Sequence, residues 1–137
     1  MRSTTRRAGC VGIVRRVDAV RAHLTRREAL EHVIEGGLDY LVAEWTRIAL
    51  AVEGRREEWM WEEWMNDLDT REMLQDLLDH VPESRVATRQ IEEADARFLS
   101  AAIETDECEW GAGNAADEGW TPAKNWWYWR MPPTAYI

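Results

Sequence analysis

With 137 residues and 16.0 kDa, the chain has room for one domain that buries roughly two thirds of its unfolded surface, and 45% hydrophobic with 31% charged residues argue against disorder. The net charge of −9 is uneven, because residues 1–27 hold eight Arg against Asp18 alone, net +7, leaving −16 on residues 28–137. An acidic body of this kind repels phosphate backbones and anionic lipid, which excludes nucleic acid and membrane and points to a basic or neutral protein as partner.

Residues 1–24 differ from the rest in sign. The apolar patch from Val11 to Val14 is too short for a secretory signal, and Arg15 and Arg16 follow it at once. Ile13, Val17, Val20 and Leu24 share a helical face, so a basic amphipathic helix is one reading. The preferred one is a disordered arm, or translated sequence ahead of the natural start, whose deletion leaves thermal stability nearly unchanged.

The ordered domain is expected to span residues 25–137. Thr25-Arg26-Arg27-Glu28 reads as a capping box. From it Leu30, Val33, Ile34, Leu38, Leu41, Trp45, Ile48 and Val52 keep one helical phase across Gly36-Gly37. One long helix to Gly54 is therefore expected, with close approach of a neighbour compensating for two interior glycines. Trp61, Trp64, Met65 and Leu68 form a second stripe, from which Trp59 diverges. Met73, Leu74, Leu77, Leu78 and Val81 do not continue its phase, so a break is expected near Asn66–Asp69, with Asp69 as a new N-cap. Pro82 ends this segment. A last helix is expected over about Glu83–Glu104, with Ala87, Ile91, Ala94, Phe98, Leu99 and Ala102 facing inward.

Nine Trp occur in the chain, and Trp120, Trp126, Trp127 and Trp129 fall within the last eighteen residues. The glycines and prolines between Thr105 and Ile137 forbid a long helix there and leave Asn114–Glu118 one turn at most. An extended Trp126–Trp129 puts Trp126 and Tyr128 on one side and Trp127 and Trp129 on the other. Such a segment lies in a groove between helices or shows one row to a partner. Packing is the expected role, because large rings mostly serve stability. If the tail also recognises a partner or ligand, the residues are Trp120, Trp126, Trp127, Tyr128, Trp129 and Arg130, with Arg130 or Lys124 available for a cation–π contact. The fold expected is all-α, a small bundle of three to four helices with the Trp-rich extended segment packed on it.

Signals for chemistry are weak. Glu28, His32 and Glu35 lie on adjacent turns, but the matching Glu and Glu-x-x-His sets of a di-metal bundle are absent, so no metal and no cofactor is expected. His80, four residues after Asp76, suits a helix C-terminus. Cys108 between Glu107 and Glu109 favours the inert thiol, no phosphate loop is present, and Asp67-Leu68-Asp69 lacks the later ligands of a calcium loop. Cys10 and Cys108 form no disulfide framework. A reducing cytoplasm fits, and sixteen Arg against one Lys fits a GC-rich bacterial genome. These features point to a non-catalytic protein-interaction module, inhibitor- or immunity-like in one form. The alternative is a small-ligand-binding protein or enzyme with an aromatic pocket between helices and tail.

Overall fold

The computed structural model describes residues 17–55, 57–134 and 136–137. Residues 17–26 form helix α1, followed by α2 (Glu31–Gly54) and α3 (Trp61–His80). A 3₁₀ turn over Pro82–Ala87 leads into α4 (Thr88–Leu99), and a short α5 spans Ala112–Glu118. A second 3₁₀ turn covers Trp126–Trp129. Two residue pairs make the sheet, with β1 (Ile103–Glu104) antiparallel to β2 (Arg130–Met131) in the register Ile103↔Met131 and Glu104↔Arg130. The fold is mostly helical, and no described helix is long and apolar enough to cross a membrane.

The expected boundary at residue 25 moves upstream. Residues 17–24 belong to α1, and its Val20, His23 and Leu24 are buried in the core. Their deletion would strip apolar surface from the bundle, against the expectation of unchanged stability. Ile13, the first residue of the amphipathic stripe, lies outside the described residues, as does the rest of 1–16. Thr25 is not an N-cap, because its hydroxyl donates to the Arg21 carbonyl at 2.8 Å and so closes α1. Glu28 takes a left-handed conformation (φ 56°) in the turn, and α2 starts at Leu30 with no side-chain cap.

The α2 stripe has the expected phase from Val33 onward, burying Val33, Leu38, Leu41, Trp45, Ile48 and Val52, while Ile34 is half-buried and Leu30, at the N-cap, faces water at 68% exposure. Its backbone is not continuous. Gly37, at φ 61° and ψ −146°, sits where only glycine is at ease and kinks the helix. A methyl there would lie 3.8 Å from Val20 Cγ1, so α1 packs directly over the kink.

Helix α3 does not break at Asn66–Asp69. Thr70 is inside it, donating its hydroxyl back to the Asn66 carbonyl at 3.2 Å. The change of apolar phase has another cause: α3 is the central helix, with α2 against it along one side and the Trp126–Trp129 turn along another. It therefore buries Trp64, Met65, Leu68, Arg71, Leu74 and Leu77 around much of its circumference. Two placements at its start, one just ahead of the helix and one at its first residue, also differ from the stripe. Trp59 is buried and Trp61 is 40% exposed.

Helix α4 ends at Leu99, short of Glu104, because the chain turns at Ser100 and pairs Ile103–Glu104 with the tail. Ala87, Ile91, Ala94, Phe98 and Ala102 are buried as expected, while Leu99 faces outward at 40% exposure. The small residues let α4 lie close on α2.

Candidate functional site

Indole and phenol donors meet carboxylates throughout the core. Trp59 Nε1 donates to Asp67 at 3.0 Å, Trp110 Nε1 to Asp69 at 3.2 Å, Trp127 Nε1 to Glu72 at 3.1 Å, and the Tyr128 hydroxyl to Asp69 at 2.7 Å. Asn125 adds its amide to Glu72 at 3.0 Å. Asp67, Asp69 and Glu72 all belong to α3; Asp69 and Glu72 are the acceptors onto which the tail is fastened, while Asp67 holds Trp59 ahead of the helix. Among the described residues no buried side-chain polar atom lacks a partner, as an ordered interior requires.

Removing these carboxylates from water raises their pKa values. Burial lifts Asp69 and Glu72 above the usual range despite their hydrogen bonds, and pushes Asp67 up to about 6 against the pull of Trp59 and Arg47. In Asp67 the folded form holds its proton more tightly than an unfolded chain with a pKa of 3.8, so the contribution of this residue to stability falls as pH rises from about 4 to about 6. Asp67→Asn keeps an acceptor for Trp59 and removes the desolvated charge. The variant is expected to exceed the parent by up to about 3 kcal/mol at pH 7.5, at about 1.4 kcal/mol per pKa unit, and to match it near pH 4. Paired urea titrations at the two pH values decide this, and equal stabilities at pH 7.5 would refute it.

The residues proposed for recognition are largely turned inward. Trp127 and Tyr128 are 0% and 1% exposed. Trp120, Trp126, Trp129 and Arg130 keep part of their surface. Residues 126–129 form a 3₁₀ turn in place of an extended segment with two aromatic sides, because Tyr128 N–H bonds back to the Asn125 carbonyl at 3.0 Å. Trp120 stacks on Tyr128 with ring centroids 4.0 Å apart. The cation over the rings is neither Arg130 nor Lys124 but the buried Arg71, 4.6 Å from the centroid of Trp127. α5 extends over Ala112–Glu118, nearly two turns where one was expected. Cys108 is buried, and burial pushes its thiol upward, toward the inert form.

A second cluster was hidden in the sequence by separation along the chain. Asp76 Oδ2 accepts from His23 Nε2 at 2.7 Å and from Arg27 Nε at 3.0 Å, and Arg27 Nη2 reaches Oδ1 at 3.1 Å. His80 Nδ1 lies 2.9 Å from the Asp76 carbonyl and 3.1 Å from its Oδ1. The imidazoles of His23 and His80 are near-parallel, with centroids 5.6 Å apart. Burial alone would raise Asp76, but Arg27 and His23 outweigh it and hold the carboxyl below its usual range. The cluster borders a cleft of about 530 Å³ between α3 and the tail, lined among others by Arg27, Asp79, His80, Trp120, Lys124 and Asn125. Glu28, His32 and Glu35 form no such cluster, since Glu28 lies in the turn before α2 and His32 packs edge-on against Tyr40 at 5.5 Å.

The exposed aromatic surface lies elsewhere. Trp61, 40% exposed, meets Trp110 edge to face at 5.2 Å, beside Met60 at 45%. The chain end runs past the same place, with Ile137 N–H on the Trp59 carbonyl at 3.1 Å and the Tyr136 hydroxyl on Glu109 at 2.7 Å. Exposed Glu57, Glu58, Glu62 and Glu63 flank Trp61, and no Lys or Arg occurs between Arg97 and Lys124 on the side that brings Trp110. No family model, curated protein or solved structure matches this chain, so its function rests on its own geometry.

Proposed function

We propose that the protein is a non-catalytic interaction module whose partner is a basic protein segment that also carries an apolar side chain. The observation that carries this is the Trp61–Trp110 pair, half-open at the surface and rimmed by carboxylates. Aromatic anchors inside a polar rim supply most of the energy of an interface, and a surrounding acidic field speeds capture of a cation. The Trp-rich tail contributes as the support of this face rather than as its surface, holding Trp110 in place through the pairing of 103–109 with 128–131. An inhibitor that covers a basic site on another protein is one form this takes.

Binding of fluorescent Arg-rich amphipathic peptides, measured by anisotropy, tests the reading. Trp61→Ala is expected to weaken binding at least about tenfold with little change in melting temperature, and raising salt from low to high is expected to weaken it further. Binding indifferent to both Trp61→Ala and salt would remove the proposal. The cleft beside Trp120 supports a second reading, a small-ligand site, which predicts a shift of Trp fluorescence on metabolite addition that Trp120→Phe reduces.

A further inference from the structure

We propose that His23, Asp76 and His80 form a binding site for a divalent cation of the zinc type. One donor atom from each lies within 4.8 Å of the other two. The three come from two helices, His23 from α1 and the others from one turn of α3, so folding and not local sequence creates the set. His23 is only 4% exposed and its Nε2 is held on Asp76, which fixes one ligand in advance. His80 is half-exposed and stands at the cleft, which gives an ion a way in and leaves a coordination position for water.

The donor chemistry selects the metal. Two imidazole nitrogens and one carboxylate favour zinc, cobalt or nickel over calcium and magnesium, which take oxygen. Zinc ligand bonds are about 2.0–2.2 Å long, so the donors, now 2.7 and 3.1 Å from opposite oxygens of Asp76, need to open only slightly to admit an ion between them. To ligate, His23 Nε2 and His80 Nδ1 must each be the unprotonated nitrogen of its ring, with the proton carried on the other nitrogen, and His80 must give up its contact with the Asp76 carbonyl.

Arg27 is the competitor. Its guanidinium spans both oxygens of Asp76, yet its side chain is 54% exposed and free to swing into the cleft. A divalent ion would replace a single positive charge with two beside the same carboxylate. Lys124 adds to the repulsion from the far wall, while Asp79, Glu72 and Glu118 on the same cleft offset it. Removing Arg27 is therefore expected to tighten binding, which a purely structural hydrogen-bond cluster does not predict.

Calorimetric titration of the full chain with Zn²⁺, together with the visible spectrum of the Co²⁺ form, tests the assignment. One equivalent is expected to bind at about micromolar Kd or tighter, with nitrogen-containing coordination in the cobalt spectrum. His80→Ala is expected to weaken binding at least about tenfold, Arg27→Met to tighten it several-fold, and His32→Ala to leave it unchanged. Melting curves without metal establish that each variant is folded. Absence of stoichiometric uptake, or equal weakening by His80→Ala and His32→Ala, would overturn the proposal.

Discussion

A chain ending at Gly119 is expected to lose cooperative folding altogether. The residues removed include Trp127 and Tyr128, both fully buried. Side chains of this size bury about 150–250 Å² each, which at about 25 cal/mol per Å² is about 4–6 kcal/mol apiece. The loss continues in what remains. Trp64 Nε1 would lose the Arg130 carbonyl at 2.9 Å, Phe98 its neighbour Trp126 at 5.9 Å, and Arg71 the ring faces above its guanidinium. Asp69 and Glu72, already strained toward the neutral form by burial, would lose Tyr128, Asn125 and Trp127 as donors. The two rings alone, at about 8–12 kcal/mol, match the total stability of about 5–15 kcal/mol typical of a domain, and the lost contacts add to that. Near-UV circular dichroism and urea unfolding provide the measurement. A sigmoidal transition with the slope of the intact chain would show that the tail is an appendage and not part of the core. The single substitution Trp127→Ala is a graded version, expected to cost about 3–5 kcal/mol.

The contacts between α3 and the residues after Thr105 explain which parts of the fold are visible along the chain. Helices α2 and α4 each face the bundle with one side, so a single 3.6-residue stripe runs through Val33 to Val52 and through Ala87 to Phe98, and periodicity finds both. Helix α3 is covered from several directions. Its stripe changes phase where the cover changes, and the same pattern reads as a break when only one face is assumed. Asp69 and Thr70 look like a cap for the same reason: sequence shows a short polar pair, while the reason for Asp69 being there is a phenol 59 residues later. The kink at Gly37 is marked by the glycine pair, but the element pressed against it, α1, is masked by a run of Arg that reads as a disordered arm. Val20 and Leu24 were the available signal, at the spacing of one helical face. The candidate metal cluster is less visible still. His80 and Asp76 show their i,i+4 spacing, but His23 is 53 residues from Asp76 and only the docking of α1 joins them. The exposed Trp61 was hidden by its resemblance to Trp64, since both fit one stripe, and Trp64 is the one covered by Phe98, Trp59 and the Arg130 carbonyl.

Asp95→Ala is expected to destabilise the fold by about 3–5 kcal/mol. The carboxylate stands between α2, α3 and α4. It takes both arms of Arg71, Nε at 2.8 Å and Nη2 at 2.9 Å, and the Trp45 indole N–H at 2.9 Å. Arg71 has a side chain only 6% exposed and no other acid within ion-pair distance among the described residues, only the Gln75 amide oxygen at 3.1 Å. With Asp95 gone, a guanidinium would be left in the core with its charge uncompensated, and Trp45, 0% exposed, would keep an unsatisfied donor. Asp95→Asn separates the two effects: its oxygen can still accept from Trp45, while the charge opposite Arg71 is lost. It is expected to cost less than alanine but still well above 1 kcal/mol. The double variant Arg71→Met, Asp95→Asn removes the orphaned cation and keeps an acceptor for Trp45, so it is expected to regain a large part of the loss. Urea titrations of the parent, Arg71→Met, Asp95→Asn and the double variant form a double-mutant cycle. A coupling energy near zero would show that Arg71 finds water or another acceptor when Asp95 is neutral, and the three-helix junction would then be held by its apolar contacts alone.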